Sequence, residues 1–210
     1  MSLTMKDEGG SFTPCPAGNH VAICYAVIDL GTQHSDAFNW EGKSIPASDR
    51  PQILIMWEIP GELVDIDGEQ KPAMVSKFYN AFFNDKAALR LHLEAWRGRQ
   101  FTEGELCGFN ISAVLGKSCM INVVHNDKGK AKIAGIAAMP KGMGSPEQTN
   151  ESIHFDFDNY DQAVFDSLSE GIQNIIKKSP QYAAINAQPR HDHAQNEEPV
   201  NDFADDEIPF

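Results

Sequence analysis

Residues 74–98, MVSKFYNAFFNDKAALRLHLEAWRG, change periodicity part-way along their length. The first ten are rich in aromatic and β-branched side chains and read as a strand. From Asp85 the apolar positions Leu89, Leu93 and Trp96 fall at helical spacing, with Gly98 placed as a C-terminal stop. Strands lie on both sides of this switch. Upstream, residues 20–30 (HVAICYAVIDL) and 52–59 (QILIMWEI) read as strands one and two. Asp67-Gly68 marks a hairpin that makes strand two the antiparallel neighbour of strand three at 74–83. Downstream, residues 118–125 (SCMINVVH) and 130–139 (KAKIAGIAAM) read as strands four and five, joined tightly through Asn126-Asp127-Lys128-Gly129.

Three strands, a helix and two further strands is the order of a five-stranded OB barrel, so the expected class is mainly β (α+β). Other small α+β sheets share the order. Phe101 to Gly116 reads as a connector with a helical turn near 111–115, and Gly31 to Arg50 as a long loop. The expected organisation is a barrel over 1–140, a linker over 141–150, a helical extension over 151–180 and an acidic tail over 181–210. Tyr160, Val164, Leu168, Ile172 and Ile176 form one stripe, which predicts a single helix over 159–178 with acids near its start and Lys177 and Lys178 at its end. The tail has too little apolar surface to offset chain entropy and is expected to be disordered.

Composition limits the function classes. The net charge is -13, but from Gln181 onward only Arg190 opposes Asp192, Glu197, Glu198, Asp202, Asp205, Asp206 and Glu207. The remainder is still acidic, so a nucleic-acid site has to be a confined basic patch. No apolar run reaches the ~18 residues of a membrane span, and residues 1–10 show no apolar signal core. A cytoplasmic location and no membrane partner are therefore expected. Cys15, Cys24, Cys107 and Cys119 form no C-x-x-C pair, and His191 with His193 lacks companion ligands, so neither metal nor cofactor is assigned. Nucleophile-elbow, phosphate-loop and H-E-x-x-H patterns are missing. Gly116-Lys117-Ser118 lacks the glycine that a phosphate loop places at Ile111, so no catalytic residues are expected.

The last nine residues, Asp202-Phe203-Ala204-Asp205-Asp206-Glu207-Ile208-Pro209-Phe210, resemble the C-terminal tip of bacterial single-stranded DNA-binding proteins. The body is similar to the OB-fold single-stranded DNA-binding proteins of tailed phages and prophages, through Gly18-Asn19-His20, Asp29-Leu30-Gly31-Thr32-Gln33, Trp57-Glu58-Ile59-Pro60 and Leu93-Glu94-Ala95-Trp96-Arg97-Gly98-Arg99. The resemblance implies a body that holds single-stranded DNA. It also implies that Asp205, Asp206, Glu207, Ile208, Pro209 and Phe210 dock replication, recombination or repair proteins. Such a peptide suits an apolar pocket flanked by cations. The helix after the barrel and the 31–50 loop depart from the familiar bacterial pattern and leave homo-oligomer formation open.

A sequence-tolerant strand site needs cations for phosphates among aromatic faces for bases. The candidates are Trp40 and Lys43 in the loop after strand one, Lys77 and Tyr79 on strand three, and Lys128, Lys130 and Lys132 on the last hairpin. Because alternate strand residues share a face, Lys77 and Tyr79 lie opposite Phe78 and Phe82, and the two phenylalanines are assigned to the core. Trp57 and Trp96, with apolar neighbours, are assigned there too. The competing expectation is an OB-fold interaction adaptor with little affinity for DNA.

Overall fold

The computed structural model describes residues 14–40, 42–66 and 68–187. It is a mainly β protein built on one large antiparallel sheet, with several helices. The strands are β1 (Gly18–Ser35), β2 (Phe38–Trp40), β3 (Lys43–Ile45), β4 (Ser48–Ile66), β5 (Glu69–Asn80), β6 (Ser118–His125), β7 (Ala131–Ala137) and β8 (Ile153–Phe155). The sheet order is β5-β4-β1-β6-β7, β8 pairs with β1 in parallel, and β2 and β3 form a separate ribbon. Among the described residues no backbone ladder joins β5 to β7, so the sheet is not closed. The two end strands are instead linked by Lys77, whose Nζ donates to the Ile133 carbonyl over 3.2 Å.

The strands are longer than their apolar runs. β1 and β4 stay paired out to Ser35 and Ser48, and β2 and β3 pair beyond them, so the expected 31–50 loop is largely a β ribbon. β4 and β5 likewise pair down to Ile66 and Glu69, where Gly68 takes φ 84° and donates to Asp65 Oδ1. At the far hairpin Asn126 Oδ1 accepts from the backbone N–H groups of Lys128 and Lys130, and Gly129 takes φ 71°.

Helix α1 (Ala88–Arg97), which buries Leu89, Leu93 and Trp96, and the short α2 (Glu103–Leu106) lie between β5 and β6 in sequence. Gly98, at φ 67°, ends α1 as expected; Asp85 does not cap it, since Ala87 holds the N-cap position without a side-chain bond. Inside the curved sheet Trp57 and Trp96 pack with ring centroids 5.8 Å apart, among Cys24, Ile55, Ile121 and Ile133. Cys15, Cys24 and Cys119 are buried and Cys107 exposed, all as free thiols. Burial pushes the Cys24 thiol up to about 12.

A second core covers the outer face of β1 and β4, and the single helix expected over 159–178 is corrected here. The segment contains α3 (Gln162–Ser167) and α4 (Glu170–Ile176), with β8 before them and α5 (Pro180–Ala187) after. Asp161 caps α3 through the N–H groups of Ala163 and Val164. The chain then leaves helical geometry at Leu168, where ψ is 150°. Phe165 and Leu168 are both buried in one cluster with Tyr25, Ile28, Leu54 and Phe155. The ordered chain also runs past the expected tail boundary at 181: Pro180 opens α5, and Ser179 Oγ accepts from the Tyr182 N–H.

Two residues fasten this layer. Gly31, at φ 69°, lies so close to the α4–α5 junction that an added Cβ would stand 2.6 Å from Ser179 Cβ. Beside it Gln181 accepts from the Thr32 N–H and donates to the Thr32 hydroxyl. Glu58 is fully buried, and its carboxylate accepts from the Thr149 N–H (2.6 Å), the Asn150 N–H (2.8 Å) and the Asn150 side-chain amide. The irregular 141–150 segment is thereby tied to the sheet, as a buried carboxylate requires.

Candidate nucleic-acid interface

On β5 the inward residues are Ala73, Val75 and Tyr79, which sit opposite Ile59, Trp57 and Ile53 of β4. Tyr79 is 4% exposed. Its ring meets His92 of α1 edge-on, and its hydroxyl is hydrogen-bonded to His92 Nδ1 at 2.9 Å. The polar tip of the phenol is therefore satisfied inside the protein, and Tyr79 presents no face to a ligand. Phe78 is 51% exposed and Phe82 40%, so the expectation that these two fill the core is reversed. Met74, Ser76 and Phe78 share the outer face of β5, with Phe38 exposed on the ribbon.

Lys77 shares the inward side of β5 but only as a half-buried group. Its ammonium reaches the β5–β7 gap, 5.8 Å from the Tyr79 ring centroid. Burial, and then the nearby Lys132, lower its pKa. The same desolvation, followed by Lys77, lowers that of His92. Lys132, next to Ile133 on β7, is exposed, as are Lys130 and Lys128 on the hairpin. Among the described residues none of these three forms an ion pair, in contrast to Arg90 with Glu94, and Arg97 and Arg99 with Glu105. Arg99 first, then the Thr102 backbone N–H, with Arg97 contributing, hold the Glu105 carboxyl well below the usual carboxylate range.

The candidate residues thus divide. Lys77 and Lys132 meet at the β5–β7 gap, while Phe78, next to Lys77 in the chain, is exposed on the opposite face of β5; Lys128 and Lys130 extend the positive surface along the hairpin. Lys43 is exposed on β3, where its backbone pairs with Trp40. The Trp40 side chain lies outside the described residues, as do Asp205, Asp206, Glu207, Ile208, Pro209 and Phe210. Phe78 and Phe82 escaped the sequence reading because β4 is apolar on both faces. The polar Ser76 and Asn80, sharing the Phe78 side of the strand, were the available signal.

Among the described residues no cluster of three or more His, Cys, Asp or Glu side chains is placed to hold a metal. No helix there is long and apolar enough to cross a membrane. Comparison with family models, curated proteins and solved structures found no match.

Proposed function

We propose that this chain is a non-catalytic single-stranded DNA-binding protein that coats and protects strands during replication or recombination, and that its acidic C-terminal segment recruits partner proteins. One observation carries the reading. Lys128, Lys130 and Lys132 are exposed and form no ion pair among the described residues, on a molecule whose net charge is strongly negative and whose β5 exposes the aromatic ring of Phe78. Unneutralised lysines on an acidic protein favour a polyanion, and a flat exposed aromatic on the same protein favours unpaired bases over duplex.

The strand order β5-β4-β1-β6-β7, with α1 between β5 and β6 and a lysine spanning the gap between the end strands, supports an OB-type arrangement for this domain. In that arrangement the ligand lies across the outer face of β5, between the β2–β3 ribbon and the 126–130 hairpin. Phosphates would run along Lys130, Lys132 and Lys43, and a base would stack on Phe78.

Titration of a fluorescently labelled oligo-dT with the full chain, followed by anisotropy at several salt concentrations, tests this. Binding should weaken with salt at a slope of about -0.7 per phosphate neutralised. Absence of salt-sensitive binding would discard the DNA reading and favour the protein adaptor.

A further inference from the structure

A cavity of about 340 Å³ lies between the end of α1, the 3-10 turn at Ile111–Val114 and the start of β6, and the DNA reading makes no use of it. Its floor is apolar: Leu93, Trp96, Phe109 and Val114. Arg97 and Lys117 are the cations in its wall. Trp96 is held in place by donation from its Nε1–H to the Ser118 carbonyl over 2.8 Å.

Arg97 is only partly committed to the fold. Its Nη2 pairs with Glu105, and its guanidinium lies 4.2 Å from the Phe101 ring centroid and 5.6 Å from that of Phe109. Its Nη1 is buried with no hydrogen-bond partner. Lys117 is exposed and forms no ion pair among the described residues. An apolar floor beside the Arg97 and Lys117 cations selects a ligand that joins a large apolar group to an anionic oxygen. The cavity is at the small end of the range for such sites.

The chain itself carries a segment of this chemistry, Asp205-Asp206-Glu207-Ile208-Pro209-Phe210. We propose that this segment docks in the α1 cavity of its own chain, with Phe210 or Ile208 on the apolar floor and the carboxylates of residues 205–207 on Arg97 and Lys117. The 17 residues between Ala187 and Asp205 span up to about 60 Å when extended, more than the roughly 40 Å width of a folded domain of this size. The exposed hairpin lysines offer charge alone, whereas the cavity couples charge to an apolar floor. Docked there, the segment is withheld from other proteins while the β5 face stays open. A partner then gains access by competing for the segment. This inference goes beyond the DNA reading and does not depend on it.

Two-dimensional ¹H–¹⁵N spectra of the full chain test the proposal by comparison with Phe210→Ala and Lys117→Glu. Phe210→Ala should shift the Trp96 indole resonance and the backbone amides of Arg97, Phe109 and Lys117, leaving Phe155 and Phe165 unmoved as a check on the fold. Lys117→Glu should shift the amides of residues 205–210 reciprocally. Silence at the cavity on Phe210→Ala overturns the proposal. So do shifts confined to Phe78 and Lys132, which would put the segment on the DNA face. Cavity shifts that grow with protein concentration would assign the occupant to a second copy and overturn docking within one chain.

Discussion

Phe78 and Tyr79 are adjacent and chemically alike, yet the pleat of β5 gives them opposite roles. Replacing Phe78 with alanine should cost about 1–3 kcal/mol of oligo-dT binding, the usual contribution of one stacked base. Tyr79→Phe should leave that affinity unchanged and lower stability by about 1 kcal/mol, through loss of the hydrogen bond to His92. Anisotropy titration and thermal unfolding separate the two effects; a Tyr79→Phe variant defective in binding but not in stability would contradict the assignment. Gly31 poses a different single-residue problem. At φ 69° any side chain is strained, and here a Cβ would also press on Ser179. Gly31→Ala should therefore destabilise by about 1–3 kcal/mol, read as a lowered denaturation midpoint with signals from α4 and α5 disturbed first.

The β6–β7 hairpin is the element that concentrates exposed lysines, Lys128, Lys130 and Lys132. Exposed lysines that contact phosphates weaken all sequences alike when removed, and each lowers the salt slope by roughly 0.7. Lys130→Ala and Lys132→Ala should each do so in the oligo-dT titration, with unchanged unfolding; an unaltered slope would remove the hairpin from the interface. Elements of this kind were legible in sequence, because an Asn-x-x-Gly turn between two alternating runs has few other readings. So was α1, whose apolar spacing and terminal glycine agree. The helix Glu103–Leu106 was overlooked although Thr102 and Glu105 spell out a capping box, which the structure forms. The C-terminal layer was misread for a physical reason. Its apolar stripe has helical spacing throughout, and that spacing conceals the departure from helical geometry at Leu168, between α3 and α4. Pro180, taken as the end of order, is the first residue of α5, a position where its missing N–H costs nothing.

At the scale of the whole molecule, two cores share β1. Ala22, Cys24 and Val27 face the inner one, Tyr25, Ala26, Ile28 and Leu30 the outer one, and the register shifts between Cys24 and Ala26 and between Asp29 and Gly31 fit the strand to both. β4 is divided in the same way, with Ile53, Ile55 and Trp57 inward and Leu54 outward. Neither layer can loosen without exposing strands that the other also packs against, so the sheet and the C-terminal helices should unfold together. Phe165→Ala removes a buried ring from the outer core and should cost about 3–5 kcal/mol, while Ile133→Val trims the inner core by about 0.5–1.5 kcal/mol. Both variants should move one common transition, seen alike by far-ultraviolet circular dichroism and by emission from the inner-core Trp57 and Trp96. If Phe165→Ala instead split the transition, with ellipticity lost before the tryptophan emission changed, β1 would not couple the layers, and the outer helices would be a separable attachment to the sheet.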